Sequence, residues 1–325
     1  MRHAHWFASQ FRHRFGPSFA SKRGPIGIEF RDGFVRVVQV ARDRRAHVLA
    51  SACVAYDRAA PERSIEQLAH ALLGSGFRGR ECVVALPFEA ARLLSMTVSD
   101  GDDDAVRAEV AKALGDDASA FEFDFIRLGS IGHARRDIAA IVAERAPIEA
   151  IVHPLIDAGF WPSAVEASFV AIARACSRTH RRASDHGRVR LALDLHERGA
   201  TALLLQGQTI VSARGAGSRQ GAVAALGECL DECHNVFGLE RPNEVRVSGT
   251  VAYDAALVAE IERTVGIAVR HDDDVGTFAD AFLEVGVHAA DSGGAAAWIG
   301  AFGAAFRGLS RAALRQAPSA TREAA

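Results

Sequence analysis

Residues 188–213, RVRLALDLHERGATALLLQGQTIVSA, carry the pattern that decides the fold. Positions 191–195 form an apolar run with one acid, Asp194, near its end. Positions 196–199 are a polar turn, and 200–205 form a second apolar run. Gly207-Gln208 then signals a tight turn before a third strand at 209–213. A glycine-rich link, Gly215-Ala216-Gly217, leads into a long helical pattern. The same plan stands near the start of the chain. Positions 26–30 carry Glu29 near the end of an apolar run, Arg31-Asp32-Gly33 turns, and strands follow at 34–40 and 47–54. Two copies of a strand–acid–turn–strand–turn–strand unit, about half a chain apart, predict a two-lobed duplicated fold.

Composition sets the limits. The chain has 325 residues, of which 49% are hydrophobic, enough for a large core and wrong for disorder. A formal net charge of −2 argues against nucleic acid as a partner. The five cysteines read as reduced residues of a cytoplasmic protein. No apolar run reaches the roughly 18 residues that a bilayer span requires, and the sequence shows no secretory signal.

Residues 1–24 form a distinct basic, aromatic arm. Trp6, Phe7, Phe11, Arg12, Arg14 and Phe15 are its candidate binding residues: the phenylalanines recur every four positions and would stack on one helical stripe. One reading is an amphipathic anchor on anionic lipid or on a partner. The other is an arm whose rings pack on the body.

After the first strands, 64–73 reads as a helix with Ile65, Leu68, Leu72 and Leu73 on one side. Positions 81–86 and 92–98 read as strands, 100–114 as a helix opened by Asp residues, and 121–128 and 137–143 as strands. Together these make an insert of about 81–146. The acids at 100–104 suit a helix N-terminus better than a calcium loop, because the spaced ligands and closing glutamate are missing. Positions 147–159 read as a helix with an apolar face that includes Ile156. A strand at 161–167 and a helix at 168–176 follow, and 177–190 looks like a surface crossing. The second lobe continues with a helix at 218–237, a strand at 244–247, a helix at 253–265 and a strand at 266–269. The boundaries are then 25–185 for the first lobe and 186–291 for the second. A C-terminal helix at 292–310 packs back toward the first lobe, and 311–325 is a loose tail.

Catalytic patterns are weak. Cys229-x-x-x-Cys233-His234 lacks a second ligand pair at zinc spacing and reads as core. Ser184-Asp185-His186 are sequence neighbours and cannot form a triad. The glycines at 215, 217 and 221 miss the dinucleotide spacing, and neither a G-x-S-x-G elbow nor a phosphate-binding G-x-x-x-x-G-K-[ST] loop is present.

Two lobes, each opening with a strand hairpin near an acid, and a late strand–Ser248-Gly249–helix unit follow the plan of the actin-like ATPases. The chain resembles the PilM family of type IV pilus assembly proteins, close to the cell-division protein FtsA, with the MshI proteins of mannose-sensitive pili a near second. The resemblance rests on Gly27-Ile28-Glu29, the strand at 83–87, Glu109 with 121–128, Ala158-Gly159, Leu193-Asp194-Leu195, Ala213-Arg214-Gly215, Val247-Ser248-Gly249 and Ala301-Phe302-Gly303-Ala304, in order over residues 25–310.

The resemblance implies an α/β fold of two actin-like, ribonuclease H-like lobes with a small α+β subdomain inserted in the first. It implies a nucleotide cleft at Glu29, Gly33, Asp194, Gly199, Ser248 and Gly249, with ATP and magnesium as its ligands. It also implies a PilN-like single-pass inner-membrane protein as partner and a place at the cytoplasmic face of the inner membrane. It leaves room for a homo-oligomer and for contact with the membrane surface. The turns depart from the family pattern. Phe30, Arg31, His196 and Glu197 place bulk where backbone should meet phosphate, and Asp32 and Glu197 add negative charge in what should be a low-dielectric cleft. The expectation is a degenerate ATPase with no catalytic residue and no bound metal, acting as a scaffold. The alternative is an active actin-like ATPase that couples ATP to assembly, with Arg31 and Arg198 offsetting the acids.

Overall fold

The computed structural model describes residues 23–314 apart from 32, 43–45, 99–101, 128–129, 132–133, 136–137, 178–186 and 272–293. The chain opens with β1 (Arg23–Arg31), β2 (Phe34–Arg42) and β3 (Ala46–Ala55), followed by α1 (Pro61–Gly74) and β4 (Glu81–Leu86). Then come β5 (Ala91–Met96), α2 (Asp103–Leu114), β6 (Phe121–Arg127), the two-residue strands β7 (Ser130–Ile131) and β8 (Ala134–Arg135), and β9 (Ile138–Glu144). α3 (Arg145–Asp157), β10 (Trp161–Ala167) and α4 (Ser168–Ser177) complete this half. Its sheet runs β10-β4-β1-β2-β3, with β1 parallel to β4 and antiparallel to β2. β1 is buried on both faces along all but its first residue, which is why it reads as a nearly unbroken apolar run.

The second half repeats the plan. β11 (Val189–His196), β12 (Gly199–Gln206) and β13 (Thr209–Ala216) precede α5 (Arg219–Asp231), β14 (Glu244–Ser248), α6 (Ala255–Val265) and β15 (Ala268–His271). The sheet order is β13-β12-β11-β14-β15. α7 (Ile299–Leu314) follows a 3-10 turn at Gly294–Trp298.

Several boundaries differ from the sequence reading. Glu81–Leu86 belongs to the first-lobe sheet, so the separate three-stranded sheet is β5-β9-β6 and the insert begins after β4. Its core is Val98, Val106, Val110, Ile138, Ala140 and Val142. Gly215 and Ala216 extend β13 instead of forming a link, because the missing side chain at Gly215 makes room for the Phe88 ring. The long helix changes winding at Glu232, where a π-helical turn runs to Val236 and Phe237 N–H bonds back to Glu232 O at 3.0 Å. Leu73 and Ile156 point to solvent. α7 reaches Leu314, past the expected start of the tail, and 315–325 lie outside the described residues.

α7 is docked into the first lobe. A Cβ on Gly27 of β1 would lie 2.0 Å from Ala301 O, and one on Gly303 would lie 1.9 Å from Ala171 O, so backbone meets backbone at both places. Glu166 at the end of β10 holds the helix by charge. It takes both arms of Arg174 at 2.6 and 2.8 Å and Arg307 Nη1 at 2.6 Å, while Arg174 also donates to Gly303 O at 2.9 Å. The apolar core of this lobe continues into the second through Ala192, Leu203, Leu205, Ile210 and Ala213.

Candidate functional site: the interlobe cleft

Strand register assembles the site. Side chains two residues apart share one face of a strand. Gly27, Glu29 and Arg31 therefore share the face of β1 that α7 covers. At Gly300 a Cβ would lie 2.0 Å from Glu29 Oε1, and Ala301 N–H donates to Glu29 Oε2 at 3.2 Å. From the other lobe, Asp194 of β11 stands in register with Ser248 of β14, whose Oγ donates to Asp194 Oδ1 at 3.0 Å. Gly249 follows at φ +102°, where a side chain would strike Leu195 O, and its N–H donates to Ala296 O at 2.9 Å.

Arg31 joins the two halves. Its Nη2 lies 2.6 Å from Glu29 Oε1, and its Nη1 donates to Asp194 Oδ2. Both carboxylates are fully buried, and Arg31 is 6% exposed. Arg36, also buried, pairs with Glu29 in the β1–β2 register and lies over the Phe34 ring. Burial pushes the Glu29 carboxyl above its ordinary range. Arg31 pulls it back, Asp194 adds to the rise, and Arg36 and the Ala301 N–H oppose it.

Of the expected site residues, Glu29, Asp194, Ser248 and Gly249 converge here. Gly33 and Gly199 have local explanations. Gly33 is an exposed turn residue at φ +77°. Gly199 has no room for a Cβ because Ala216 O stands 2.0 Å from where it would be. Trp6, Phe7, Phe11, Arg12, Arg14, Phe15 and Asp32 lie outside the described residues.

Three parts of the electrostatic expectation are corrected. Phe30 is on the opposite face of β1 and packs edge-on against Tyr56 with centroids 4.9 Å apart, so it fills core, not cleft. Glu197 is exposed and paired with Arg219 at 2.8 Å, so its charge sits in water instead of in a low-dielectric site. Arg198 is also exposed, and it is Arg31 alone of the two that meets the cleft acids. The acids at 102–104 do cap α2: Asp102 Oδ1 accepts from Ala105 N at 2.9 Å. Cys229 and Cys233 are buried in the second-lobe core.

A magnesium ion held by the two acids would need about six oxygens at roughly 2.0–2.1 Å. The guanidinium of Arg31 stands between Glu29 and Asp194 where such an ion would have to be. With Arg36 it also balances the two acidic charges already. The residues present therefore do not fit a divalent cation. Among the described residues no cluster of three or more His, Cys, Asp or Glu is placed to hold a metal, and no helix is long and apolar enough to cross a membrane.

No family model matches the chain, and no curated protein matches it. Solved structures do. A chain of the "PilM-PilN type IV pilus biogenesis complex" superposes with a TM-score of 0.67 at 16% identity, covering 88% of this chain and 98% of that one. A Bacteroides thetaiotaomicron protein described as having an "actin-like ATPase fold and unknown function" superposes at 0.52 with 8% identity, covering 82% and 95%. The chain has a PilM-like, actin-like fold. Within that fold this chain places one acid from each lobe at the cleft, and Arg31 closes the space between them.

Proposed function

We propose that this PilM-like chain is a non-catalytic scaffold of a type IV pilus, or a related type II secretion-like, inner-membrane assembly. It works at the cytoplasmic face and binds the N-terminal peptide of a PilN-like single-pass protein. The observation that carries the non-catalytic reading is the buried Glu29–Arg31–Asp194 bridge, which fills the cation position of the cleft. The superposition on a chain from a PilM–PilN complex supports the partner. The basic arm, which ends at residue 22 because Arg23 and Gly24 belong to β1, adds attachment to the membrane surface or to the partner.

A ligand that binds only the folded state raises the melting temperature according to RT ln(1 + [L]/Kd). Mg-ATP should leave the melting curve of this protein in place, and an upward shift of several degrees would overturn the scaffold reading. The partner is tested by calorimetry with the N-terminal peptide of a PilN-like single-pass protein from the same organism. Saturable binding is expected, and no heat change would remove the assignment. Deleting residues 1–23 should abolish co-sedimentation with anionic vesicles, and unchanged binding would exclude a lipid-binding arm.

A further inference from the structure

We propose that Arg31 is a tethered cation that holds the two lobes closed without any ligand, and that removing its guanidinium turns the cleft into a divalent-cation site. This goes beyond the scaffold reading and does not depend on the partner.

Glu29 belongs to the first lobe and Asp194 to the second, and both are fully buried. Two like charges brought together away from water need a cation between them. An exchangeable metal ion closes such a cleft only to the extent that its concentration exceeds its dissociation constant. Arg31 is attached two residues from Glu29, so its supply is fixed by covalent connection. Its planar fork offers one nitrogen to each acid, Nη2 to Glu29 and Nη1 to Asp194, a division that the single charge of a lysine does not reproduce. The surrounding contacts agree with permanent closure. Phe88 of the first lobe packs where Gly215 of β13 lacks a side chain, and the first-lobe core runs on into Ala192, Leu203 and Leu205.

With the guanidinium gone, the carboxylate oxygens of Glu29 and Asp194 and the Ser248 hydroxyl would face the vacated space. These are hard oxygen donors, the kind that magnesium, manganese and calcium take.

The test is the melting temperature of the full chain and of Arg31→Ala, each in chelator and then in millimolar MgCl2, MnCl2 or CaCl2, with NaCl matched for ionic strength. The wild-type protein should not respond to the divalent ions. Arg31→Ala should melt roughly 5 °C or more lower in chelator and recover most of the loss with at least one divalent ion but not with NaCl. The proposal is overturned if the wild type is itself stabilised by the divalent ions, if Arg31→Ala melts like the wild type, or if no ion rescues it. Should Arg31→Ala fail to fold, the double variant Arg31→Met with Asp194→Asn decides, because it removes one charge of each sign and leaves Glu29 opposite Arg36. It should fold and ignore divalent ions; failure to fold, or stabilisation by them, overturns the proposal. Peptide binding is read separately, so loss of this idea leaves the scaffold reading standing, and the reverse.

Discussion

Arg31 and Asp194 are 163 residues apart in the chain and form a buried ion pair across the cleft. Arg31 is 6% exposed and Asp194 fully buried, so each depends on the other for its charge partner.

Removing one partner of such a pair strands the remaining charge, which typically costs about 3–5 kcal/mol. Asp194→Ala should therefore lower the unfolding free energy by about that amount in urea denaturation. Glu197→Ala, which breaks an exposed pair with Arg219, should change it by less than about 1 kcal/mol. Equal effects would contradict the burial assigned to these two acids.

Gly300 has no room for a side chain beside the cleft. A Cβ there would lie 2.0 Å from Glu29 Oε1 and 2.4 Å from its carboxyl carbon. Gly300→Ala should destabilise by about 1–3 kcal/mol through overpacking. Gly227→Ala, on α5 with nothing near its Cβ position, is the control and should be neutral or slightly stabilising. Circular-dichroism melts of the two variants make the comparison.

The C-terminal helix depends on Glu166. Glu166→Gln keeps the shape but loses the charge shared by Arg174 and Arg307. Both arginines reach solvent in part, so the cost should be about 1–3 kcal/mol, below that of the cleft pair. Hydrogen exchange should quicken in α7 more than in α5. Uniform change across both helices would mean that Glu166 does not act on α7.

Cys229 supplies a pH dependence. Burial pushes its thiol up to about 12 from 9.0, partly opposed by the Ser212 hydroxyl. The unfolded chain ionises this thiol first, so the folded state binds more protons above pH 9. Its contribution to stability is full below that pH and is lost as pH rises toward 12, by about 1.4 kcal/mol per pH unit. Cys229→Ala should flatten that alkaline limb in pH-dependent urea titrations. A limb of unchanged slope would reject the assignment.

Much of the architecture was legible because each lobe opens with an apolar strand whose acid stands near its end, a local pattern. The acids Glu29 and Asp194 were found that way. Arg31 was read as bulk in a turn, yet it is the last residue of β1 and shares the face of Glu29. The alternation of strand faces was sufficient to place it beside that acid. Nothing local indicated that the acid from the other lobe would arrive at the same guanidinium, because that depends on how two sheets 163 residues apart in sequence are docked. The same limit applies to Glu81–Leu86: its unbroken apolar run announces a strand but not which sheet it joins. Gly199 and Gly215 read as a turn and a link in sequence, whereas each is glycine because another segment of chain occupies the volume of its side chain.

That last point has a mechanical side at Gly215. The ring of Phe88 fits against its Cα from the short turn that leads into the inserted sheet, and the same ring lies tilted against Phe169 of α4 with centroids 5.8 Å apart. The insert is thus anchored at its root to both halves of the molecule by a single aromatic side chain. A pull exerted on the insert would be transmitted to β13 as well as to the first lobe, by a route that bypasses the charged cleft.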